Sequence, residues 1–261
     1  MTRQLPDQVA QVGRVLAATA GGYLRNTVRE ERLTCTVCST PVENDYLRCY
    51  QCKTHVESGL QIADRVASIV YAMKPSASGR LDQTYTAMFG YKADRPRDAH
   101  TQVVGSLLAL GLAGHLACDL KLSGKTNLRW ATVPSTQTMG REHPLHRLAT
   151  ALFRDSSLEV VLTTAQGATK SRSLHPESLV VASAIPASTH VALVDDSWVT
   201  GANAQSVAAA LKLAGAASVS VLTIARILGP DYPPNAAFIR ERLASADFNY
   251  VLCPWTGGAC P

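Results

Sequence analysis

The run HVALVDDSWVTGANAQ, His190 to Gln205, admits few folds. Val191, Ala192, Leu193 and Val194 form the unbroken apolar kind of strand that a parallel sheet buries on both faces. Asp195 and Asp196 stand at its carboxyl end, and the loop Val199-Thr200-Gly201-Ala202-Asn203 leads into a helix that ends near Gly215. Strand, loop and helix N-terminus in this order make an anion cup, because free backbone N–H groups and the helix dipole face whatever sits in the loop. Gly201 lets the backbone approach a phosphate closely. The ionised carboxylates accept hydrogen bonds only, which suits hydroxyls beside that phosphate. One phosphate and one diol together describe a ribose 5-phosphate. The competing reading is a strand, an acidic turn and a capped helix in an ordinary α/β protein.

The apolar run, Asp195-Asp196, two further residues and then Val199 to Asn203 resemble the phosphoribosyl-pyrophosphate (PRPP) signature of type I phosphoribosyltransferases. The resemblance implies that Asp195 and Asp196 hold the ribose hydroxyls, that residues 199–203 hold the 5-phosphate, and that Mg²⁺ accompanies PRPP. Val199 stands where that family has Thr or Ser, and Asn203 where it has Thr. Asn203 can still donate through its amide, whereas Val199 offers nothing polar.

At 261 residues the chain has room for one α/β domain with a small appendage. A hydrophobic content of 46% with 17% charged residues excludes bulk disorder. The net charge of +5 suits phosphorylated ligands but is too small to establish nucleic-acid binding. No apolar run is expected to reach membrane-spanning length, and the first residues lack an export pattern, so a cytoplasmic protein without a membrane partner is expected. Four of the seven cysteines fall as Cys35-x-x-Cys38 and Cys49-x-x-Cys52. Two such knuckles can set four thiolates tetrahedrally around a structural Zn²⁺, with no open coordination position for catalysis. Disulfides are the alternative, disfavoured in a reducing compartment. His55 is a further possible ligand, and Cys253 and Cys260 could bind metal, pair under oxidation or cap the sheet beside Trp255.

Three parts are expected: an N-terminal helix in 1–33, a zinc ribbon in 34–56 as a satellite, and the α/β domain in 57–261. The first helix spans 7–32 with a break at Gly21-Gly22 and packs on the ribbon or on a partner subunit, so a homodimer is one expectation. A second helix is expected over 57–73, an irregular segment over 74–97, and a long buried helix from Asp98 to about Cys118. Strands follow at 128–133, 158–162 and 218–225, with helices from Pro144 to about Arg154 and around 235–244.

Twin Cys-x-x-Cys knuckles, Tyr91-Lys92 and the PRPP-like loop occur in the order seen in the ComF-type phosphoribosyltransferase-like family, which this chain resembles from about residue 34 to 228. The resemblance implies a type I phosphoribosyltransferase-like parallel sheet flanked by helices, with Tyr91 and Lys92 at the site. It also implies a pyrophosphate loop at Pro134, Ser135 and Thr136, Arg141 pairing bidentately with a phosphate, and a hood over 163–189 that offers Lys170, Arg172 and His175. His143 and His146 read instead as flanking the helix start. Two functions follow. One is an enzyme that transfers phosphoribosyl from PRPP and releases pyrophosphate, with Asp195, Asp196 and Arg141 carrying the chemistry. The other is a PRPP- or nucleotide-sensing or DNA-uptake-related module whose ribbon engages nucleic acid or a protein.

Overall fold

The computed structural model describes residues 5–43, 45–79, 81–134, 142–165 and 172–261. Its centre is a parallel sheet of β1 (Arg65–Met73), β6 (Ser218–Leu228), β5 (His190–Trp198) and β2 (Leu128–Thr132), in that spatial order. The strands RVASIVYAM and SVSVLTIARIL are almost wholly buried, as parallel strands covered on both faces must be. On one face lie α1 (Asp7–Ala20), α3 (Gln83–Gly90), α4 (Asp98–Ala109) and α6 (Pro144–Phe153); α2 (Tyr50–Glu57) carries Cys52. Leu16, Met88, Leu107 and Leu145 from these helices share one core with Ile69, Val194, Leu222 and Ile224. The other face takes α7 (Ala202–Leu213), whose Ala204, Val207 and Leu211 pack with Val191, Leu193, Val219 and Val221. A two-stranded hairpin, β3 (Leu162–Thr164) and β4 (Leu179–Val181), adjoins α7, and α8 (Pro233–Phe238) follows β6.

Several expected elements are corrected. Residues 57–73 do not form one helix: α2 ends at Glu57, and β1 takes Arg65–Met73. Val66, Ile69 and Val70 mimic a helical stripe, but the run between them is buried on both sides, which a sheet centre allows and a surface helix does not. The first helix stops at Ala20, and Arg25–Thr27 then runs along the edge of β1, with Tyr71 N–H donating to Arg25 O at 2.7 Å and Thr27 N–H to Ile69 O at 3.2 Å. Within the segment expected to be irregular, Asp82 caps α3 by accepting from Tyr85 N–H at 2.8 Å. Residues 158–162 hold the end of a 3₁₀ turn and only the start of β3.

The long helix from Asp98 continues past Cys118: α4 passes through a π-helical turn, Leu110–Gly114, into α5 (His115–Ser123). By length and composition the stretch Asp98–Ser123 could cross a membrane, since it holds an 18-residue window of mean hydropathy 1.7, contrary to the expectation that no run would; just over half of that window, 56%, is buried in the protein. Gly111 is where it touches the sheet most closely, since an added Cβ would stand 2.8 Å from both Ile69 and Leu222 side chains.

At the amino edge of the sheet, away from the loops discussed below, Asp119 accepts from Ser220 Oγ at 2.7 Å and pairs with His190 Nε2 at 2.8 Å, while His190 Nδ1 meets Ser218 Oγ at 2.8 Å. This Ser–His–Asp chain has no solvent access at His190 or Asp119. It is a packing device, because no substrate reaches it. Asp119→Ala strands two buried partners, and chemical denaturation should show a loss of about 3–5 kcal/mol.

Candidate functional site

The carboxyl edge of the sheet is built around β5. The strand runs on through both aspartates to Trp198, so alternation sends Asp195 and Asp196 to opposite faces. Asp196 follows Val194 onto the face of α3 and α6 and is only 5% exposed. There Tyr91 Oη donates to its Oδ2 at 2.9 Å, Lys92 Nζ forms an ion pair with the same oxygen, and Ser197 Oγ donates to Oδ1 at 2.8 Å. His143 Nε2 stands 4.0 Å from Oδ2. Burial would raise the Asp196 carboxyl, but the Lys92 charge and the hydrogen bonds from Lys92, Ser197 and Tyr91 hold it below the usual carboxylate range. Burial, then Asp196, pushes the Tyr91 phenol well above its ordinary value. Burial lowers His143, against the opposing pull of Asp196, which leaves its imidazole neutral near pH 7. His143 also accepts from Leu145 N–H at 3.2 Å and so caps α6.

Asp195 lies on the α7 face and is partly exposed; its Oδ1 accepts from Asp196 N–H at 2.8 Å. Beyond Trp198 the loop turns at Gly201, whose φ of 83° favours glycine. Space requires glycine as well, because an added Cβ would fall 2.0 Å from the Trp198 indole. Buried Arg226 clamps the loop from below, donating through Nη1 to Trp198 O at 2.8 Å and Val199 O at 3.1 Å. Thr200 Oγ1 accepts from Ala202 N–H at 3.3 Å, the Val199 side chain is 41% exposed, and Asn203 is exposed on the first turn of α7. A helix start of this kind offers N–H groups without helical partners.

At the end of β2, on the Asp196 side of the sheet, is a cavity of about 240 Å³. Pro134, Glu142, His143, His146 and Glu159 are among its lining residues. His146 Nδ1 lies 3.1 Å from Thr132 Oγ1 and 3.6 Å from Glu159 Oε1. His143 therefore joins the cavity to Asp196. Sequence reasoning set both histidines aside; the signal it lacked was that Pro144 starts α6 at the mouth of the sheet. Arg226 was missed too, standing one residue past the strand expected over 218–225, which the structure extends to Leu228.

Of the residues named from sequence, Asp195, Asp196, Tyr91, Lys92 and residues 199–203 come together at this edge, with Pro134 at the cavity. Ser135, Thr136, Arg141 and Lys170 lie outside the described residues. Arg172 is exposed, in a segment tied to α7 where His175 N–H donates to Ser206 Oγ at 2.9 Å. His175 itself faces Glu177 at 2.8 Å.

Cys35, Cys38, Cys49 and Cys52 converge, their sulfur atoms all within 4.8 Å of one another. Ser39 N–H donates to Cys35 O at 2.9 Å and Cys35 N–H to Thr40 O at 2.8 Å, so the first pair sits on a closed turn. Cys49 directly precedes α2, which places Cys52 in its first turn. The cluster can hold a metal ion such as zinc, since four converging soft sulfur donors suit it. It is no detached satellite. Cys35, Cys38 and Cys52 belong to the same core as Val66, Leu193, Trp198 and Val207. His55 is buried but not among the four donors.

No protein-family model matches this chain, and no curated protein sequence does.

Proposed function

We propose that the carboxyl edge of β5 binds PRPP and that the chain transfers its phosphoribosyl group to an acceptor, releasing pyrophosphate. The observation that carries this reading is the convergence of Tyr91 and Lys92 on Asp196 across 105 residues of sequence, beside the loop that opens α7. Residues 199–203 take the 5-phosphate through backbone N–H groups and the positive end of α7. Gly201 gives the close approach, and Arg226 fixes the loop carbonyls away from the anion. Asp195, partly exposed, is the acceptor for the ribose hydroxyls; Asp196 spends most of its capacity on Tyr91, Lys92 and Ser197 and sets the position of the Lys92 ammonium. That ammonium and Arg141 offset charge on the departing pyrophosphate. Bound Mg²⁺ would add the same kind of charge neutralisation, with Asp195 the carboxylate fitted to it by exposure. The acceptor enters the cavity beside His143, whose neutral imidazole accepts from Leu145 N–H at Nδ1 and so presents an Nε2–H donor that can orient it. The four-cysteine cluster is a structural zinc site of a ribbon, in a cytoplasmic ComF-type phosphoribosyltransferase of type I fold.

One observation favours a second reading, that of a PRPP- or nucleotide-sensing module. The exposed Val199 presents an apolar side chain where a hydroxyl would serve the phosphate. Incubation with PRPP, Mg²⁺ and a panel of nucleobases separates the two: released pyrophosphate supports the enzyme, and binding without release supports the sensor. Val199→Thr should tighten 5-phosphate binding several-fold by calorimetry, one neutral hydrogen bond being worth roughly 1 kcal/mol. An unchanged affinity would place the phosphate away from this loop.

A further inference from the structure

A second set of metal-binding side chains lies apart from both sites above. His115, Cys118, Cys253 and Cys260 bring one ring nitrogen and three sulfurs within 4.8 Å of one another. Cys260 Sγ is 3.4 Å and Cys118 Sγ 3.8 Å from His115 Nδ1. Donors bound to one tetrahedral zinc at about 2.3 Å for sulfur and 2.0 Å for nitrogen lie on the order of 3.5–3.8 Å apart. Both sulfur contacts to His115 are close to that spacing, and all four donors lie within 4.8 Å of one another. His115, Cys118 and Cys253 are buried.

Backbone geometry points the same way. Cys253 N–H donates to Gly258 O at 2.9 Å, and Gly257 N–H donates to Cys253 O at 2.8 Å. The turn that presents Cys35 has the same two bonds at the same offsets: Cys35 N–H to Thr40 O and Ser39 N–H to Cys35 O. In both turns the residue four after the cysteine has positive φ, Ser39 at 58° and Gly257 at 73°. The 253–258 turn thus repeats the loop that offers a thiolate in the first cluster. His115 and Cys118, one helical turn apart, open α5 directly after the π-helical turn, a distortion that often marks a binding position. A disulfide would use only two of the three thiols and leave the third sulfur and the imidazole in the same buried cluster.

We propose that His115, Cys118, Cys253 and Cys260 bind a second structural zinc ion, which fastens the 253–260 turn to the long helix on the sheet. Three thiolates and one imidazole fill all four positions, so the site takes no part in catalysis. Its neighbours show what the ion would hold in place: Arg29 Nε donates to Pro254 O at 2.9 Å, and Trp255 is buried beneath the turn.

The test is a zinc count on full-length protein prepared under reducing conditions with zinc supplied. Two equivalents per chain are expected in the wild type, one in Cys118→Ser with Cys260→Ser, and one in Cys49→Ser with Cys52→Ser. A single equivalent lost only from the Cys49/Cys52 variant overturns the proposal. A single equivalent lost only from the Cys118/Cys260 variant supports it while removing zinc from the first cluster. If the variants do not fold, cobalt substitution of the wild type decides. Two bound Co²⁺ ions with tetrahedral thiolate spectra are expected, and a single ion with the spectrum of a four-thiolate site overturns the second site. Cys260→His, which keeps a ligand, should retain both ions.

Discussion

Cys49→Ser together with Cys52→Ser is expected to release one zinc equivalent and to unfold the chain around residues 34–57, with a large fall in the thermal midpoint. Structural zinc sites contribute on the order of 10 kcal/mol of metal-linked folding free energy, far above an ordinary core substitution. The damage should reach the ligand loop. Tyr71, buried in β1, donates to Ser39 O in the first cysteine turn at 2.6 Å and accepts from Val28 N–H at 3.2 Å. The Cys38 thiol is drawn below its ordinary value, the contact with Cys35 opposing the shift and Cys49, Cys52 and then the Arg226 charge driving it. Arg226 holds the Trp198 and Val199 carbonyls, and its charge acts on the Cys38 thiol as well. Loss of the ion should leave that loop less ordered, so PRPP affinity should fall with zinc content when both are followed through a chelator titration. A variant that keeps its thermal midpoint and its zinc would remove the cluster from the account.

The part of the fold legible in sequence is the part where local rules and burial agree. Val191 to Val194, the loop with Gly201 and the alanine-rich helix after it each have one reading, and the structure has that strand–loop–helix. Residues 65–73 did not have one reading. Val66, Ile69 and Val70 satisfy a helical period and a buried strand equally, and only their position beside β6 in the sheet decides. Asp82 as a cap for α3 is visible in hindsight as Asp followed by a short apolar run, masked by the polar stretch before it. Tyr91 and Lys92 were reachable only through a family resemblance, because a Tyr-Lys pair has no local signature. Their partner Asp196 lies in a different element, and His143 reaches it from a third. The division of labour between the two aspartates was likewise invisible. It depends on β5 remaining extended through both, which sends the side chains to opposite faces.

The second large effect concerns that pair. Asp195→Asn removes a charged acceptor from the α7 face, and Asp196→Asn releases Lys92 and leaves Tyr91 and Ser197 with a neutral partner. Charge-assisted hydrogen bonds are worth about 1.5–3 kcal/mol each, so the double variant should lose on the order of a hundredfold or more in PRPP affinity. Because Asp196 is held below the usual carboxylate range, its stabilisation of the fold is complete above about pH 4 and is lost as the pH falls through the depressed folded-state value. Wild type should therefore lose stability in that acid range more steeply than Asp196→Asn.

Calorimetric titration of PRPP with Mg²⁺ into wild type and into the folded Asp195→Asn, Asp196→Asn variant tests the central claim most directly. The account predicts one PRPP bound per wild-type chain and an affinity lower by about a hundredfold or more in the variant. Equal affinity in the two proteins, or no binding to well-folded wild type, would contradict it.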